Sequence, residues 1–347
     1  MNRYLRLLSP LLFLGIIFCS LHAVAADAGS YKLLKKINLP GDGGWDYLTF
    51  DAAANRLFIS RATHVMVVDP SSGKVIGDIP NTPGVHGIAL AHKFNKGFIS
   101  NGKGNDVTVF DLKSLKELAH VPTGEKPDAI IFDPATDRVF AMNGKSGSTT
   151  VINAKDNTVA GTIDLGGKPE FAAADGKGHV YVNLEDKSKI AALDSRNLKL
   201  LSTWELSPCQ EPSGLAMDTA HRRLFAGCDN KMMAVVDADS GKLITTAPIG
   251  EGVDANGFDP GKNLAFSSNG EGTLTIVHEA SPSEFKVLQN VETQRGARTM
   301  ALDAKTHKIY LVTANFGPEP AATAENPHPR PPFIPNSFVL LVVGPGK

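Results

Sequence analysis

The sequence predicts an all-β fold: a seven-bladed β-propeller of four-stranded antiparallel blades, with the N-terminal strand closing the last blade. Three observations predict it. A strand–turn–strand pattern recurs seven times along the chain. The copies follow one another at steps of 40 to 44 residues. The last copy lacks its fourth strand, and a strand-like segment without a partner stands ahead of the first.

The recurring pattern begins with "DYLTFDAAANRLFIS" and continues through "HGIALAHKFNKGFIS", "DAIIFDPATDRVFAM", "EFAAADGKGHVYVN", "SGLAMDTAHRRLFAG", "DANGFDPGKNLAFSS" and "RTMALDAKTHKIYLV". Each copy is a short apolar strand, a polar turn and a second strand carrying an aromatic residue. The turn positions are Asp51, Ala91, Asp133, Asp175, Asp218, Asp259 and Asp303. Aspartate suits them because its carboxylate caps backbone N–H groups two and three residues on. A third strand follows each turn ("VMVVD", "VTVFD", "TTVIN", "IAALD", "AVVD", "LTIVH"), and a fourth closes most units ("VIGDI", "ELAHV", "VAGTI", "LLSTW", "LITTA"). Four short strands every forty-odd residues make one propeller blade. The segment "YKLLKKINL", Tyr31 to Leu39, is expected to supply the missing outer strand of the seventh blade and so remove an exposed edge.

Residues 1–26 read as a secretory signal peptide rather than as part of the fold. Arg3 and Arg6 precede the apolar run "LLFLGIIFCSL", and "AVAAD" offers a small-residue cleavage site. The run is short for a membrane span. Residues 27–347 then form one propeller domain, expected in the periplasm or secreted, and monomeric. Without Arg3 and Arg6 the formal charge moves from −1 to −3, with 33 basic and 36 acidic side chains. There is no net basic footprint for nucleic acid. Cys209 and Cys228 remain, one at the entry to the fifth unit and one at the end of its second strand. An exported protein is expected to pair them.

The repeat resembles that of the YVTN-repeat, YncE-like seven-bladed propellers, which are exported bacterial proteins. The unit "GEKPDAIIFDPATDRVFAMNGKSGSTTVINAKDNTVAGTIDLGGKP" carries the resemblance, together with "GARTMALDAKTHKIYLVTANFG" and the proline-rich stretch after it. It extends over about residues 31–344. It implies the fold firmly and activity poorly, since related propellers bind ligands, perform chemistry or scaffold partners.

The strands of a blade run up and down from the central channel outward, so two connections per blade share each face. Residues 315–336 form a proline-rich loop between the second and third strands of the seventh blade. This loop is expected to fold over the channel mouth on the face where the innermost strands begin. Five positions before each turn lies a residue near the start of an innermost strand: Asp46, His86, Asp128, Glu170, Ser213, Asp254 and Arg298. None is apolar, and propeller symmetry brings them together. A second ring on this face comes from the ends of the second strands: Arg61, Asn101, Asn143, Asn183, Cys228, Asn269 and Thr313. Its asparagines read as turn formers.

Three readings of the polar ring stand at this stage. It lines a wet channel, with Asp46 and Arg298 pairing across the ring closure. Or it holds a divalent cation: Asp46, Asp128, Glu170 and Asp254 supply oxygen, while His86, with His328 from the loop, draws the preference toward a transition metal. Or it is catalytic, with His86 and Glu170 as acid or base and Arg298 steering an anion, as in lactonase-like hydrolases and lyases. No HExxH, EF-hand loop or nucleophile elbow occurs. Trp45 stands beside Asp46 to stack on a ligand or to pack, and His64 is an extra candidate on the same face. His179, His221 and His307 read as solvated turn residues on the opposite face. The reading preferred is a binding or scaffold protein for a ligand or protein partner, with metal-assisted catalysis as the rival. Single-stranded nucleic acid binding comes third, disfavoured by the acidic ring.

Overall fold

The aromatic residue of each second strand fixes where the core lies. Phe58, Phe98, Phe140, Tyr181, Phe225, Phe266 and Tyr310 are all buried, each 4% exposed or less. In a computed structural model describing residues 30–321, 323, 329 and 331–346, these rings stand between adjacent blades. The leader read at 1–26 and the loop residue His328 lie outside the described residues.

Seven four-stranded antiparallel sheets follow one another around the channel. Blades 1 to 6 occupy 48–79, 85–122, 127–164, 169–205, 212–248 and 253–292, each with its strands in sequence order from the centre outward. Blade 7 takes Met300–Asp303, Lys308–Thr313 and Val339–Pro345, and its outer strand is Tyr31–Asn38. That strand pairs antiparallel with Val339–Pro345 in the register Tyr31 to Pro345 through Asn38 to Val339. The two chain ends therefore close the ring as the sequence suggested. Ile37, Leu39, Leu48, Tyr310, Val312 and Leu340 fill the seam between blades 7 and 1. Among the described residues no helix is long and apolar enough to cross a membrane.

The turn aspartates are buried and work as caps. Asp51 Oδ1 accepts from the backbone of Ala53 and Ala54, and Asp133, Asp218 and Asp303 repeat the pattern. Unit 2 has Ala91 instead and makes its turn with a 3₁₀ segment, His92–Phe94. The turn histidines are not simply solvated. His179 Nδ1 lies 2.9 Å from Asp175 Oδ2, and His221 Nδ1 lies 2.6 Å from Asp218 Oδ2. His307 reaches across to Asp259 of the neighbouring blade at 2.6 Å. A carboxylate already capping a turn is a ready acceptor for an imidazole N–H, which the expectation of free histidines overlooked.

Cys209 and Cys228 are joined as a disulfide with Cα atoms 5.6 Å apart. It ties the entry of blade 5 to the end of that blade's second strand, inside the apolar seam between blades 4 and 5.

A polar well at the channel mouth

The ring residues point into the channel because the strands that carry them are irregular there. Pairing between the first two strands slips between Val85 and Ile88, Pro127 and Ile130, Pro169 and Ala172, Pro212 and Leu215, and Val253 and Ala255. His86, Asp128, Glu170, Ser213 and Asp254 each sit inside one of these slips. A bulge turns its strand and re-aims a side chain. Serines on the second strands hold the distorted backbone. Ser60 Oγ accepts from Tyr47 N at 2.8 Å, and Ser100 Oγ accepts from Gly87 N at 2.9 Å. Ser100 also donates to the carbonyl of Asp128 in the next blade. Gly87 permits that close approach: a Cβ there would stand 3.0 Å from the backbone nitrogen of Ile130.

The result is a line of paired groups around the mouth. His86 Nδ1 lies 2.5 Å from Asp46 Oδ2 and 3.5 Å from Asp128 Oδ1. Lys168 Nζ lies 2.7 Å from Glu170 Oε1 and also contacts Glu185. Arg298 Nε lies 3.0 Å from Asp254 Oδ2, whose Oδ1 accepts from Ser213 Oγ at 3.0 Å. The expected pairing of Asp46 with Arg298 does not form. His86 takes Asp46, and Arg298 takes Asp254 of its preceding blade, which leaves each carboxylate a nearer partner.

The channel is floored below this ring. Tyr47 from blade 1 and Phe171 from blade 4 stack face to face with centroids 4.7 Å apart. Sequence reasoning missed this floor, although both residues directly follow ring positions. A cavity of about 660 Å³ opens beside the ring, and its lining includes Trp45, Asp46, His86 and Arg298. Lys103, Lys126 and Lys145, on loops outside the seven ring positions, add positive charge to its rim. The mouth is therefore lined by carboxylates, with Lys103 and Lys126 at the cavity rim and Lys145 paired to Glu125 at 2.6 Å.

Burial sets the electrostatics. It pushes the Glu170 carboxyl up, with Asp128 adding to the effect, to about 8. It raises Asp254 to about 6 against the opposing pull of Arg298. Asp128 rises by burial too, with His86 working against it. Burial alone would lower His86, but its bond to Asp46 and the charge of Asp128 outweigh that, and its net shift is upward. The Tyr47 phenol is held well above its ordinary value, first by burial and then by Asp128 and Glu170. Glu170, raised to about 8, stays protonated at neutral pH, so the site has anionic capacity to spare for a cation. The donor atoms of Asp46, His86 and Asp128 lie within 4.8 Å of one another, a set suited to a divalent metal.

One residue assigned to the mouth belongs elsewhere, and Trp45 both lines the cavity and packs away from it. Arg61 is 2% exposed and points beneath the chain at 41–44. It donates to the carbonyls of Gly41, Asp42, Gly43 and Gly44, and its guanidinium lies 3.7 Å from the centre of the Phe338 ring. It braces a loop and does not meet the cavity. Trp45 packs against Phe333, Phe338 and Phe316 with centroids 4.8, 5.4 and 6.3 Å away. It anchors the base of the proline-rich loop while one edge lines the cavity. That base is hydrogen-bonded: Gly317 N donates to Pro332 O, and Ile334 N to Asn315 O, each at 2.8 Å. Asn101, Asn143 and Asn269 bond the side chains that begin the next strand, as turn formers do. Asn183 instead donates to the carbonyls of Ser213 and Gly214. His64 sits away from the ring, 3.6 Å from Asp78.

No protein-family model and no curated protein matches the sequence. Solved structures match the fold. The chain superposes on U3-55K with a TM-score of 0.74 at 10% identity, covering 90% of this chain and 99% of that one. The RRP9 WD40 repeats give 0.73 at 9% identity, over 92% and 98%. A chain of Kuenenia stuttgartiensis hydrazine synthase gives 0.68 at 14%, over 79% and 94%. At such identities the likeness shows architecture alone: this chain has the seven-bladed propeller fold.

Proposed function

We propose that this protein is an exported binding protein of the YVTN-repeat, YncE-like kind. In this reading it seats a divalent cation in the channel mouth and receives a ligand or protein partner above it. The observation that carries the reading is the convergence of Asp46, His86 and Asp128, the first two of which line the cavity at the mouth. Two carboxylates and an imidazole favour a borderline cation such as Zn²⁺ or Mn²⁺ over Ca²⁺, which prefers six or more oxygens. Lys103 and Lys126 at the cavity rim suit a ligand with an anionic group. Export rests on the leader-like pattern of residues 1–26.

Calorimetric titration of chelator-stripped protein with Mn²⁺ or Zn²⁺ tests it. The expected result is a site that Asp128→Ala abolishes. Isotherms that Asp46→Ala and Asp128→Ala leave unchanged would overturn it.

One observation favours a second reading, a metal-assisted hydrolase or lyase. Glu170, raised to about 8, is a carboxylic acid still protonated at neutral pH close to Asp128, which suits a general acid. Turnover of simple lactones that Glu170→Gln removes without weakening metal binding would establish catalysis. Absence of turnover with metal bound leaves the binding reading.

A further inference from the structure

Blade 6 departs from the repeat on the face opposite the mouth. In blades 2 to 6, the backbone N–H of the residue after the Asp, Asn or His that follows the apolar run of the third strand bonds a carbonyl of the preceding hairpin turn. Leu112, Ala154, Ser195 and Ala238 do so at 3.0 Å, and Glu279 does so at 2.9 Å. In five blades this buried position holds Pro70, Leu112, Ala154, Ser195 or Ala238. In blade 6 it holds a glutamate, 2% exposed.

The position faces the turn aspartate of the blade before. In blade 4 the contact is complementary, with Ser195 Oγ donating to Asp133 Oδ2 at 2.6 Å. In blade 6 a second carboxylate meets the first. Glu279 faces Asp218, and neither Glu279 oxygen accepts a hydrogen bond from a described donor. His221 completes the cluster, with Nδ1 2.6 Å from Asp218 Oδ2 and 3.3 Å from Glu279 Oε1. The Asp–His pair recurs at Asp175 and His179 as ordinary turn chemistry. The added glutamate is what is particular to this place. Burial and the Asp218 charge push its carboxyl up to about 7. Arg223 is committed to Asp237 and to the carbonyls of Pro282 and Arg222.

We infer that Asp218, His221 and Glu279 form a second divalent-cation site, bridging blades 5 and 6 and independent of the channel mouth. The three donor atoms lie within 4.8 Å of one another. Two buried carboxylates with one imidazole suit Zn²⁺ or Mn²⁺, the ion displacing the proton on His221 Nδ1. His221 is the exposed member, so the ion enters from solvent and keeps coordination positions open toward it. The site would clamp the seam between two blades and offer those positions to an external ligand.

The test uses the full chain in an Asp128→Ala background, which silences the mouth, with Zn²⁺ or Mn²⁺ alone added to chelator-stripped protein. The expected result is one bound equivalent and a rise in melting temperature. Adding Glu279→Gln should weaken binding at least about tenfold and remove the rise. His221→Ala, at an exposed ring, should do the same without threatening the fold. Glu279→Ala copies the Ala238 of blade 5 and provides a second folded control. No metal-dependent shift in the Asp128→Ala protein would overturn the inference and leave the two carboxyls sharing a proton. Binding that survives both Glu279→Gln and His221→Ala would overturn it as well.

Discussion

Arg61 shows how far a single residue can be read before its neighbours are known. It ends a second strand on the mouth face, so topology alone puts it among the ring residues. Its actual surroundings are set by Gly41 to Gly44, whose carbonyls turn inward over it, and by Phe338 from the other end of the chain. Removing it leaves those carbonyls without a donor and empties a buried volume. Arg61→Ala is expected to cost about 2–4 kcal/mol, read from urea unfolding. Arg61→Lys should recover little, because a single ammonium cannot reproduce the planar fork. A loss below about 0.5 kcal/mol, typical of a surface position, would contradict this role. The seven ring residues, by contrast, were legible as a set, because each keeps a fixed offset from a turn. Their partners were not. Whether Asp46 meets Arg298 or His86 depends on side-chain reach and on the local bulges, which periodicity does not encode.

Among the larger elements, the proline-rich loop is the one whose placement matters most. Its position between two strands of blade 7 follows from the repeat. What holds its base does not: Trp45, Phe316, Phe333 and Phe338 gather from both ends of the chain into one aromatic cluster beside the mouth. Aromatic pairs contribute about 0.5–1.5 kcal/mol each beyond burial. Trp45→Ala is therefore expected to speed chymotryptic cleavage after Phe316 or Phe333 about tenfold or more, with the blades still resistant. Mass mapping of the nicked sites checks it; an unchanged rate would mean the loop base is held elsewhere. Glu279 belongs to this scale as well. It was not legible because the column it occupies is apolar or small in the other blades.

For the whole molecule, the closure by Tyr31–Asn38 and the count of seven blades were readable from period and chain ends. The electrostatic consequence of the fold was not, since it comes from how deeply each carboxyl is buried. Glu170, Glu279 and Asp254 are raised to about 8, 7 and 6, and Asp128 and His86 are raised as well. Groups whose folded values lie above their unfolded ones add stability at low pH and lose it as pH rises through the folded values. The lowered carboxyls, such as Asp69 and Asp237, act in the other direction, but only at and below the ordinary carboxylate range. Metal-free protein is therefore expected to melt higher at about pH 5.5 than at about pH 8. Thermal unfolding in chelator would show this, and a melting temperature that rises over the same interval would contradict it. Added Zn²⁺ or Mn²⁺ should recover stability mainly at the higher pH, where the carboxylates are free to bind it.

The central claim is that the channel mouth holds a divalent cation. Elemental analysis of protein purified without chelator or affinity tag tests it most directly, comparing the wild type with Asp128→Ala. The account predicts that the wild type carries one more equivalent of metal than the variant. Equal metal content in the two, with no rise in melting temperature of the wild type over Asp128→Ala on adding Mn²⁺ or Zn²⁺, would contradict it and leave the ring as the lining of a wet channel.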